Sequence, residues 1–315
     1  MDNQVLEATT TLPGSFAKWR RKTTAGSWRA DARFLLQSSR PGLWPTAVWF
    51  YLLPLGQRNV LGSVWFWLGL VFVTFPMGVT VYGWNDYGDS EQDRFHPRKG
   101  TYLFGARGSA RQVAMLPAAI LCALAPFVLL FGVQLGLRAV WWFLAFLLVA
   151  GLYNWPSRGL KGRAPFELFI QPGYVLMFPL SSWLNQAPQL PWPTFVFGAL
   201  FAMHSHLFGE IMDLETDRHI GRRTTATLLG TMATKFALTG FLAAEAALIL
   251  TFFRSPVIGV FLALSALWFL LDAVVIWKDR PYSLAEMRWF LMGWNLVVMA
   301  SIPWVWAAAN LTRIA

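Results

Sequence analysis

Apolar runs long enough to cross a bilayer recur along the whole 315-residue chain, and they constrain its fold more than any other feature. A run of about 20 apolar residues spans the roughly 30 Å of hydrocarbon as a helix. Such runs are read at 41–57, 61–86, 113–134, 138–155, 166–184, 192–212, 234–253, 256–276 and 288–310. The expected fold is therefore an all-α, polytopic membrane protein with nine transmembrane helices. The composition agrees, with 56% hydrophobic and 13% charged residues, against roughly 25% charged in a soluble domain.

Basic residues set the orientation, because loops on the cytoplasmic side are enriched in Lys and Arg. Of the 26 basic residues, all but Arg58, Arg138, Arg254 and Arg313 fall on alternate connections, starting with the N-terminus. That alternation predicts a cytoplasmic N-terminus, a C-terminus on the other side, and a multi-pass protein of an inner or equivalent organellar membrane. The formal charge of +10 then faces anionic lipid, so no nucleic-acid partner is expected. Residues 1–37 read as a basic cytoplasmic segment without a signal-peptide core, and 38–315 as one transmembrane domain. Cys122 stands alone in an apolar run, which leaves no disulfide framework and no Cys-based metal site.

The long charged connections at 87–112, 155–165 and 213–233 share one side, and function is expected there. The second run ends in Tyr82-Gly-Trp-Asn-Asp-Tyr-Gly-Asp-Ser-Glu-Gln-Asp-Arg94. If the helix continues, Asn85, Asp89 and Asp93 lie four residues apart on one face, with Asp86 beside Asp89. Alone, this is either a solvated loop or a face that needs a cation, and oxygen ligands of this kind suit Mg²⁺ whose shell is completed by phosphate.

A second stripe ends the sixth run, where Asp213 and Asp217 are again four apart and Glu210 and His206 continue it into the membrane. Two stripes on helices that exit on one side can face each other across a bundle. Arg94, Arg98, Lys99, Arg158, Lys161, Arg163, Arg218, Arg222 and Arg223 surround them, and Lys161 is favoured as a diphosphate contact. His206 reads either as a proton acceptor or as an interhelical hydrogen-bond partner. Trp84 reads either as cavity lining that meets a cation with its ring face or as packing. His96 and His219 are expected to be loop residues.

These residues resemble the UbiA superfamily of intramembrane prenyltransferases. Asn85, Asp86, Asp89 and Asp93 match its NDxxDxxxD motif, and Asp213 and Asp217 match its DxxxD motif, followed by Gly221-Arg-Arg-Thr-Thr-Ala-Thr227. Leu152 to Arg163 is similar to its Tyr-Ser…Pro…Leu-Lys segment, and Ser39-Arg40-Pro41 to its entry to the first helix. Asp93-Arg-Phe-His-Pro-Arg-Lys-Gly100 is most similar to the carotenoid (lycopene) elongase branch, with His96 in place of the usual Asn and Asn154 in place of the common Ser.

The resemblance implies a central cavity, Mg²⁺ dependence and an isoprenyl diphosphate donor. Asp86, Asp89, Asp93, Asp213 and Asp217 are carried over as metal or diphosphate groups, supported by Asn85, Tyr153 and Lys161; Arg98 and Arg163 join them as candidate diphosphate contacts. The expected reaction ionises the donor and passes the prenyl group to a lipophilic acceptor. Two rivals stand beside it: a membrane terpene cyclase with no separate acceptor, and a cation-coupled transporter. The loop at 94–111 is expected to cover the cavity mouth and to carry specificity.

Overall fold

The structure is a computed structural model that describes residues 27–93, 96–155, 158–253 and 255–314. Arg94, Arg254 and most of the basic N-terminal segment lie outside the described residues, as do two positions of the 152–163 segment. The described residues form helices joined by loops, and the β-structure among them is limited to isolated bridges at Thr101–Gly105 and Arg163–Arg223.

The helices used below are α1 (Trp28–Ser38), α2 (Trp44–Leu52), α3 (Val64–Gly88), α4 (Leu116–Leu135), α5 (Leu137–Asn154), α6 (Met177–Leu184), α7 (Trp192–His219), α8 (Thr231–Phe252), α9 (Pro256–Ile276) and α10 (Leu284–Ala308). Seven of them, α3 to α5 and α7 to α10, are long and apolar enough to cross a membrane among the described residues. The other two expected spans are helical but broken. Residues 41–55 run as a 3₁₀ turn, α2 and a second 3₁₀ turn, with prolines at 41, 45 and 54. Residues 166–184 run as Phe166–Phe169, a 3₁₀ stretch at Gln171–Leu176 that opens on Pro172, and α6. Proline removes an amide donor and crowds the preceding turn, so apolar length alone could not predict these interruptions.

α3 carries Pro76 and, three residues on, a π-helical turn at Val79–Gly83. Such a turn accommodates one extra residue, which rotates the face of everything after it by about 100°. The acidic end of α3 is aimed by that turn. α1 begins within the expected N-terminal segment and buries Phe34 against Ala106 and Leu116, so residues 28–37 pack on the helical domain. Phe34 fits because residue 108 is glycine; a Cβ there would lie 2.4 Å from its ring.

The core is aromatic. Phe72 of α3 meets Phe127 and Phe131 of α4 and Trp142 and Phe143 of α5 at centroid distances of 5.2 to 5.8 Å. Large apolar side chains such as Leu129, Val133 and Leu296 instead face outward, as lipid contact requires. Lys235, counted by charge alone among the cytoplasmic loop residues, is fully buried in α8. It donates to Asp272 Oδ1 at 3.0 Å and to the Lys278 carbonyl at 2.9 Å, and Tyr282 hydrogen-bonds the other oxygen of Asp272.

Candidate active site

A cavity of about 1130 Å³ runs between the helices. α7 lines it with Phe201, His204, His206, Glu210, Asp213 and Asp217 in chain order. At about 1.5 Å of rise per residue, these spread over roughly 24 Å, apolar at one end and acidic at the other. Phe50, Trp142, Phe146 and Trp294 extend the apolar wall.

At the acidic end α3 stops at Gly88, but Asp89 N still donates to Asn85 O at 3.0 Å and Asp93 N to Asp89 O at 2.9 Å. The four-residue spacing thus survives the break, and Asn85, Asp89 and Asp93 all line the cavity. Asp86 does not. It is buried, and its Oδ1 meets Lys99 at 2.5 Å and Arg40 at 3.5 Å, two basic residues that do line the cavity. Lys99 also reaches Asp93 at 2.8 Å.

The two stripes meet as expected. Arg222 lies 3.0 Å from Asp89 and 3.2 Å from Asp217, so one guanidinium joins the two motifs. Lys161 donates to both Asn85 and Asp89. Asp213 is held by Arg98 and by His96 Nε2 at 2.9 Å. Among the basic candidates, Arg158, Arg163, Arg218 and Arg223 are exposed, as is Glu215, which points away from the stripe.

Electrostatics outside the spans follow these pairings. Burial opposes the ionised form of Asp89, yet Lys161 and Arg222 outweigh it and hold the carboxyl below its usual range. At Asp93 burial wins over Lys99, with Asp86 and Asp89 adding repulsion, and the carboxyl is pushed up. Burial pulls the Lys161 ammonium down to about 8 against the opposing effect of Asp89. Arg222 is raised despite burial by Asp89 and Asp217.

The basic residues are placed by local structure. Leu160 N donates to Leu152 O at 2.7 Å and Lys161 N to Tyr153 O at 3.2 Å, which folds the 158–163 turn back on α5. Gly162 has φ +72° and lies so close to Arg222 that a Cβ would stand 2.8 Å from its Cγ. The chain after α7 is anchored by two buried acids: Glu167 accepts from Thr225 N and Oγ1, both at 2.6 Å, and Glu210 accepts from Ala226 N at 3.0 Å. The loop of 96–107 is pinned by Gly42 N to Tyr102 O at 2.9 Å and by Arg107 to His96 O at 2.6 Å. It lines the cavity with His96, Arg98, Lys99, Leu103 and Phe104, as its expected place at the mouth requires.

Two expectations need correction. Trp84 is not among the cavity-lining residues; its indole packs 3.5 Å from the position of a Cβ at Gly151, so its role is packing between α3 and α5. Arg163 is exposed, does not line the cavity, and contributes its backbone to a bridge with Arg223. His96 is in a loop, as expected, and contacts Asp213. Tyr153 and His206 do line the cavity, with rings edge to face at 5.8 Å, and His206 Nε2 lies 3.2 Å from Glu210. The sequence reading passed over Glu167 because a lone acid at the start of an apolar run has no pattern. Arg40 was noticed only as part of a motif. It lines the cavity, and its guanidinium sits 4.5 Å over the Tyr82 ring.

Among the described residues no three acidic or imidazole side chains converge as a preformed metal centre. Basic side chains hold the carboxylates instead. The donor set nevertheless fits Mg²⁺: four cavity-lining carboxylates, Asp89, Asp93, Asp213 and Asp217, are hard oxygen ligands in two facing groups. A single positive group, Arg222, already bridges the two groups.

Residues 43–297 match the model of the UbiA prenyltransferase family. A lycopene elongase/hydratase of Corynebacterium glutamicum is 26% identical over 276 residues, covering 83% of this chain and 92% of that protein. One from Haloarcula japonica is 32% identical over 203 residues, covering 62% of this chain and 67% of that protein. The fold is similar to that of a UbiA homologue from Archaeoglobus fulgidus bound to GPP and Mg²⁺, with TM-score 0.63 and 18% identity over 88% of this chain and 99% of that one.

Proposed function

The chain belongs to the UbiA prenyltransferase family, and from that premise we propose that it transfers an isoprenyl group from an allylic diphosphate to a lipophilic acceptor with the help of Mg²⁺. One observation carries the reading. A single cavity joins two carboxylate groups and their basic partners to a long aromatic wall. The first part suits a metal-bound diphosphate and the second a hydrocarbon chain. GPP and Mg²⁺ bound to the archaeal homologue support the same assignment of donor and metal. The lycopene elongase/hydratase relatives favour a long polyene as acceptor.

Asp89, Asp93, Asp213 and Asp217 would hold the metal, which when bound supplies positive charge to the diphosphate as it leaves. Lys161, Arg222 and Arg98, each now resting on a carboxylate, would turn to the phosphate oxygens. Asp86 keeps Lys99 and Arg40 in place beside them. Asn85 orients Lys161, and Tyr153 closes the boundary between the polar end and the apolar wall. The wall excludes water and offers ring faces to the allylic cation, worth about 0.5–2 kcal/mol each.

The broken segments at 41–55 and 166–184 complete nine crossings in this reading, with the N-terminus and the acidic end of the cavity on the cytoplasmic side. The test gives membranes containing the protein dimethylallyl, geranyl, farnesyl or geranylgeranyl diphosphate, with and without Mg²⁺ and a polyene acceptor. Metal-dependent diphosphate release with acceptor mass increased by a multiple of C5 is expected. Cyclic product formed without acceptor would replace this reading with a cyclase.

A further inference from the structure

His204 and Glu245 form an ionisable pair inside the membrane that the diphosphate site does not use. His204 Nδ1 lies 2.6 Å from Glu245 Oε1, linking α7 to α8. Glu245 is fully buried, and its second oxygen has no hydrogen-bond partner. Burying a carboxylate with one oxygen unsatisfied is costly, and an ionisable group within a span marks function by default.

The surroundings say what function. His204 lines the cavity, in the aromatic wall, with Phe201 at 5.0 Å and Trp294 at 6.4 Å from its ring centre. It stands nine residues before Asp213 on α7, or roughly 13 Å deeper along the helix axis. That is beyond the acidic end, where the apolar part of a substrate lies. With Glu245 ionised, Nδ1–H must be the donor in their bond, which leaves Nε2 with a lone pair. Nε2 takes no hydrogen bond from the described residues, whereas Nε2 of His206 is already against Glu210 at 3.2 Å.

We propose that His204, oriented by Glu245, is the base that ends the reaction by taking the proton released after carbon–carbon bond formation; this rests on the prenyl-transfer reading above. The donor's C–O bond breaks and its electron pair leaves with diphosphate. The π pair of an acceptor double bond forms the new bond to the donor's C1, and positive charge moves to the neighbouring acceptor carbon. An adjacent C–H bond gives its pair to a new double bond, and the proton goes to Nε2. The Glu245 carboxylate balances the charge that arrives on the ring, as an acid does for imidazole in hydrolase triads. Without the base, the cation waits for water and gives an alcohol.

The experiment uses the full chain in proteoliposomes with geranyl diphosphate, Mg²⁺ and lycopene, comparing wild type with H204Q, E245Q and H206Q. The readout is the ratio of hydroxylated product and free prenyl alcohol to deprotonated, prenylated acceptor, which does not depend on how much protein is folded. H204Q and E245Q should each raise that ratio at least about a hundredfold, the lower end of the 10²–10⁴ that general bases contribute. An unchanged ratio in H204Q, with all products falling together, would show a purely structural pair and overturn the proposal. A ratio changed by H206Q and not by H204Q would overturn it as well. If wild type releases no diphosphate with any donor, the prenyl-transfer reading has failed rather than the choice of base.

Discussion

Asp89 and Asp217, 128 positions apart in the chain, share one guanidinium, with Arg222 Nη2 at 3.0 Å from the first and Nη1 at 3.2 Å from the second. The contact joins the two acidic motifs without a metal. A cation of the chain stands between groups that would otherwise repel each other.

Replacing Arg222 by Ala should therefore make the protein depend on added metal for its stability. In detergent, the thermal midpoint of R222A should lie below that of wild type without Mg²⁺ and rise more steeply as Mg²⁺ is added, since a ligand that binds only the folded state stabilises it. Equal Mg²⁺ responses in both proteins would separate Arg222 from the metal site.

Asp89→Asn and Asp213→Asn should each lower turnover by about 10²–10³, the range seen when one group that stabilises developing charge is lost. Both variants should insert into membranes at wild-type yield. Diphosphate release at wild-type rate in either one would remove that carboxylate from the site.

Glu167→Gln tests the anchor of the segment after α7. The carboxylate accepts twice from Thr225, and weakening it should cost about 1–3 kcal/mol. Because Arg222 hangs from that segment, KM for the donor should rise more than kcat falls. A change in kcat alone would show that the anchor does not position the diphosphate contacts.

Lys235→Met leaves Asp272 buried without its counter-charge, at a cost of about 3–5 kcal/mol. The double variant K235M/D272N should recover part of that loss. Thermal unfolding of the three proteins in one detergent measures it, and a double variant less stable than K235M would show that the two residues do not act as a pair.

Sequence carried the helical class, the two motifs and their meeting, because four-residue spacing is a local property that survived even the break at Asp89. It did not carry the aim of each side chain. Asp86 was grouped with its neighbours, yet its buried carboxylate sits under Lys99 and Arg40 and does not line the cavity. Trp84 went the same way, into packing on Gly151. The pair of His204 and Glu245 is separated by 41 positions and no periodicity links them, so only the packing of α7 on α8 reveals it. The broken segments at 41–55 and 166–184 looked continuous because hydropathy counts length and does not register the amide that proline removes.

The 96–107 loop sends Arg98 and His96 to one motif and Lys99 to the other, and the consequence reaches back to biogenesis. Bare acids this close together would repel one another as the chain enters the bilayer. Here the chain brings its own counter-ions, so the two motifs can come together on the strength of its own basic side chains.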